Sequence, residues 1–94
     1  MPKIKSISEA AAGKLISAIQ KEWGSELGEP VADESEYVMG LAHELLQART
    51  AKVMKGILDG KSIREYLGVD WVDSHASVLG FIEQLELAMA NESA

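Results

Sequence analysis

The chain has 94 residues, no cysteine, two prolines and 47% hydrophobic residues. That length suits one core, and the missing thiols exclude a disulfide scaffold and a cysteine zinc site. A net charge of −6 disfavours nucleic acid and anionic membrane as partners, and no apolar run approaches the ~20 residues that cross a bilayer.

Charge falls in blocks. Met1 to Lys21 is net +3, Glu22 to Ala48 net −7, Arg49 to Glu65 net +3 and Tyr66 to Ala94 net −5. Such alternation lets opposite blocks face one another in a folded bundle and leaves an acidic face that suits a basic protein partner.

In chain order, residues 1–5 read as frayed, and Ser6 with Glu9 has the S-x-x-E spacing of a capping box that starts a helix. Ala12, Leu15, Ile16, Ile19 and Trp23 form one apolar stripe, opposite Lys14, Ser17 and Lys21, and Gly24 ends it. Residues 24–32, with two glycines and Pro30, read as a loop. Asp33 and Glu36 repeat the capping spacing and open the longest predicted helix, which runs to about Leu58 before Asp59 and Gly60.

At 1.5 Å per residue that helix would span about 39 Å. Its stripe is not straight: Val38, Leu41, Ala42, Leu45 and Leu46 mark the first half, and Val53, Met54, Ile57 and Leu58 the second, displaced by about 120°. Either the helix breaks near Arg49 and Thr50, or it stays straight and its ends meet different neighbours. The absence of a strong breaker from Gln47 to Lys55 favours the straight form.

Ser62 and Glu65 predict a short helix closed by Gly68. The last helix begins between Trp71 and Ser77, with Asp70, Asp73 and Ser74 as candidate caps, and reaches about Ala90 before a frayed tail at 91–94. The expected architecture is all-α: a small bundle of three main helices plus one short helix, in one domain over 1–94, with the second helix longest.

Chemistry is sparsely signalled. His43-Glu44-Leu45-Leu46-Gln47 lacks the second histidine of a zinc protease helix, and glutamine is a poor zinc ligand. His75 stands beside Asp73 and Ser74 with no nucleophile, a pattern of helix caps. Ile63 to Asp70 resembles the first helix and glycine turn of helix-turn-helix DNA binders. Yet Ser74 stands where that motif has an aliphatic residue, and the following helix carries no lysine or arginine to meet phosphate. Arg49, Lys52 and Lys55, with Lys61 and Arg64 near in sequence, form a basic stretch without an aromatic platform, which reads as a solvated face. No catalytic residue, cofactor or metal ligand is assigned, and the chain reads as a non-enzymatic cytoplasmic protein.

The apolar surplus of the second helix predicts an interaction module, a homodimer or adaptor in contact through Met39, Leu46, Val53, Met54 and Leu58. The alternative is a small acidic regulator of the immunity-protein, antitoxin or phage-inhibitor kind. Its carboxylates Glu26, Glu29, Asp33, Glu34 and Glu36 would cover a basic surface of a partner protein.

Overall fold

In the computed structural model residues 6–93 are described; residues 1–5, predicted to fray, and Ala94 lie outside the described residues. The fold is all-helical, with α1 (Ile7–Ser25), α2 (Val31–Ala48), α3 (Ala51–Leu58), α4 (Ile63–Leu67), α5 (Val69–Ser74), a 3₁₀ turn (Ala76–Val78) and α6 (Leu79–Ser93). α1 packs against both α2 and α6, α3 lies on α6, and α4 bridges to α5 and α2. The core is made of Leu15, Ile19, Val38, Leu45, Met54, Ile63, Val72, Val78 and Leu85 with their neighbours.

The Ser6 cap forms as the sequence predicts, its hydroxyl oxygen accepting the Glu9 amide at 3.0 Å. At Ser62 the full capping box closes: the Glu65 amide donates to Ser62 Oγ and the Ser62 amide to Glu65 Oε1, each at 3.1 Å. α1 runs past Gly24 to Ser25, and the chain reverses where Gly28 takes a positive φ of 92°. α2 then starts at Val31, two residues before the expected Asp33, because Pro30, with φ already fixed at −58°, begins the helix. Asp33 and Glu34 sit instead in its first turn, where their charge complements the helix dipole.

The expected long second helix is broken. Arg49 adopts φ 67°, and Thr50 caps a new helix by accepting the Val53 amide at 3.4 Å. This makes α1, at 19 residues, the longest helix. The break rotates the second stripe onto the same core as the first, so that Met54 is fully buried and Leu58 nearly so. Enclosing each is worth about 1.5–3 kcal/mol, against about 1–3 kcal/mol for one non-glycine residue at positive φ, so packing outweighs local strain.

Two further expectations change. Trp71 belongs to α5 and not to the last helix, and α6 extends through Asn91 to Ser93 where fraying is predicted. The reason for the extension is Glu92. Its Oε2 accepts the Ala51 amide at 2.6 Å and its Oε1 the Ser8 amide at 3.3 Å, so one carboxylate occupies free donors in the first turns of α3 and α1. The Ala51 amide bond, foremost among several, holds Glu92 below the usual carboxylate range. Ser6 Oγ also donates to the Arg49 carbonyl, tying the start of α1 to the break. Among the described residues no helix is long and apolar enough to cross a membrane.

Candidate functional site

A buried polar network joins three parts of the chain that are far apart in sequence. His75, 6% exposed, ends α5 and stacks on Trp71 with ring centroids 4.1 Å apart. Its Nδ1 donates to the Trp71 carbonyl at 2.7 Å, and its Nε2 to Glu26 Oε2 at 2.6 Å. With both ring nitrogens facing acceptors, the arrangement favours an imidazolium paired with a carboxylate. The other Glu26 oxygen accepts from Ser35 Oγ at 2.5 Å, and Ser35 Oγ accepts from Trp71 Nε1 at 2.9 Å. Glu26 thus links the C-terminal cap of α1 to α2 and α5.

The protonation states follow from competing effects. Burial is the largest influence on His75 and pushes it down, but the bonds to Glu26 and the Trp71 carbonyl, with the charges of Glu26 and Glu22, together raise it above the usual imidazole value. On Glu26 burial is again largest and raises it, yet Ser35 and His75 in sum hold it below the usual carboxylate range.

Glu22, one turn before Glu26 on α1, accepts a hydrogen bond from Ser77 Oγ. Glu22, Glu26 and His75 each bring one ligand-type atom to within 4.8 Å of the others, the one such grouping among the described residues. Glu22 and Ser77 also line an open groove of about 530 Å³ between α1 and the start of α6, together with Lys14, Ala18, Lys21 and Phe81.

A second feature lies on α2. Tyr37 is 69% exposed. Helical geometry sets Asp33, Tyr37, Gly40 and Glu44 within one narrow strip, and Asp33, Gly40 and Glu44 are exposed with it. Tyr66, from α4, donates its hydroxyl to Glu44 Oε2 at 2.9 Å and extends the strip. Burial first, then that bond and the Glu44 charge, push the Tyr66 phenol up to about 12. An unfolded tyrosine ionises near 10, so the unfolded state sheds this proton first and stability falls as pH climbs from about 10 towards 12. Ultraviolet titration should show one late tyrosinate step, absent in Tyr66→Phe and moved to lower pH in Glu44→Gln.

The predicted site residues separate accordingly. Glu29, Asp33, Glu34 and Glu36 are exposed as expected of an acidic surface, but Glu26 is turned inward to His75. Of the predicted interface, Met54 and Leu58 are core residues, and Met39 and Leu46 are half-buried against the same core. Val53 alone of the five is exposed, at 50%. The continuous apolar face on which that dimer rests is therefore taken up within one copy. His43 and Gln47 are exposed on α2. Arg64 leaves the basic stretch, held bidentately by Asp73 at 2.8 Å to each oxygen, which staples α4 to α5. The network from Glu26 to His75 has no local sequence signal, since its members are brought together across 49 residues.

Neither a protein-family model, nor a curated protein, nor a solved structure matches the chain.

Proposed function

We propose that this protein is a small non-enzymatic binding module that covers a basic surface of a partner protein with the acidic strip of α2. The observation that carries this reading is Tyr37, an aromatic ring left largely in solvent between Asp33 and Glu44. Tyrosine is enriched among the residues that dominate binding energy, because it gives a rigid apolar body and a polar tip. Carboxylates around such a ring steer a cationic surface towards it and reject phosphate backbones. Gly40, with open space where a side chain would stand, lets a partner approach the helix backbone beside the ring. The homodimer reading loses support with the burial of Met54 and Leu58 in their own core.

The test is an amide-resolved NMR titration of the full chain with a lysine-rich helical peptide at low and high salt. Shifts should concentrate at Asp33, Tyr37, Gly40 and Glu44 and fade as salt screens the charges. Tyr37→Ser, which leaves charge unchanged, should weaken binding by about tenfold, the scale of a hot-spot contact, whereas Asp70→Asn on α5 should not. Shifts spread over every acidic residue, or indifference to Tyr37→Ser, would overturn the proposal.

A further inference from the structure

The geometry points to a binding site for a divalent transition metal ion of the zinc type, formed by Glu22, Glu26 and His75 at the end of the α1 groove. Each of the three side chains is oriented by a group behind it. The Trp71 carbonyl accepts a hydrogen bond from His75 Nδ1 and so aims Nε2 at the carboxylates. Ser35 holds one oxygen of Glu26, whose other oxygen faces His75 Nε2, and Ser77 holds one oxygen of Glu22, leaving its second for the ion. A ligating histidine whose other nitrogen donates to a backbone carbonyl, and ligating carboxylates that are themselves hydrogen-bonded, are the usual second layer of a metal centre. Trp71 extends the restraint outward, since its indole N–H fixes Ser35.

The buried imidazole supplies the observation that acidic side chains alone lack. His75 Nε2 and Glu26 Oε2 converge to 2.6 Å across a shared proton, and a metal ion bound there takes that proton's place. Two ligands at about 2.05 Å from a tetrahedral ion lie about 3.3 Å apart, so loading asks Glu26 and His75 to separate by several tenths of an ångström. One imidazole and two carboxylates favour zinc-like ions over the all-oxygen cages of calcium or magnesium. Glu22 is half-exposed and lines the groove, so the remaining coordination position opens towards solvent.

The metal-free full chain, stripped with chelator, is titrated with Zn²⁺ by calorimetry and with Co²⁺ by visible absorption. One saturable equivalent is expected, with a tetrahedral cobalt spectrum and a raised unfolding midpoint. Glu22→Gln leaves the Glu26–His75 pair intact, so it should keep the far-ultraviolet circular dichroism and weaken Zn²⁺ at least about tenfold. His75→Gln should abolish binding, and His43→Gln, altering the exposed histidine on α2, should change nothing. Absence of a saturable equivalent, unaltered affinity in Glu22→Gln, or loss of binding in His43→Gln would overturn the assignment. None of these outcomes depends on the α2 strip.

Discussion

Glu26→Ala should lower the unfolding free energy by about 3 kcal/mol, because it removes a charge-assisted hydrogen bond and leaves two buried polar groups without their acceptor. Without Glu26, burial drives the ring enclosed against Trp71 towards its neutral form, whose Nε2 is left without a partner, and Ser35 simultaneously loses its acceptor. For a chain of this size, each kcal/mol moves the thermal midpoint by about 4–8 °C, so the loss is easily read. Glu26→Gln, which keeps the shape and one acceptor, should cost less. In the double variant with His75→Ala, the two losses should not add, since the second removes the ring that the first left unpaired. Urea unfolding followed by circular dichroism measures all four corners; a strictly additive pair would show that the two side chains do not stabilise the fold jointly.

The second large effect separates two neighbours on α3. Met54→Ala should cost about 2–5 kcal/mol, the range for emptying a filled core position, while Val53→Glu should stay within about 0.5 kcal/mol of the parent. Met54 has no exposed surface and Val53 is half in solvent. Light scattering adds the contrast that matters for assembly: Val53→Glu should leave molar mass unchanged at low and high salt. A fall in mass with Val53→Glu, and a harmless Met54→Ala, would instead support an apolar interface on this face.

Much of the helical content was legible from local chemistry. Ser6 and Ser62 announce their caps, and the stripe of Ala12, Leu15, Ile16 and Ile19 is buried as its spacing requires. Where the reading failed, a distant contact decided the outcome. Arg49 and Thr50 carry no strong breaking signal, and only the displacement of the stripe hinted that Met54 could reach the core by a bend. Thr50 was nevertheless a usable clue, being a good cap residue placed where the two stripes part. The sequence sets His75 beside Asp73 and Ser74, yet its carboxylate comes from the far end of α1, and Asp73 instead faces Arg64. Residues that fold back through a turn leave no periodicity between them, so pairings of this kind are invisible until the path of the chain is known. The exposed carboxylates Glu29, Asp33, Glu34 and Glu36 were legible for the opposite reason: a charge left at the surface depends on no distant contact.

The grip of Glu92 on the Ala51 and Ser8 amides constrains the order of events during synthesis. A ribosome emits residue 8 first and residue 51 much later, and both openings stay unfinished until residue 92 has emerged. That corner of the molecule therefore sets last, after translation has passed it. A nascent chain arrested before that point should show amide hydrogens at Ser8 and Ala51 exchanging freely with water, and the complete chain should protect both.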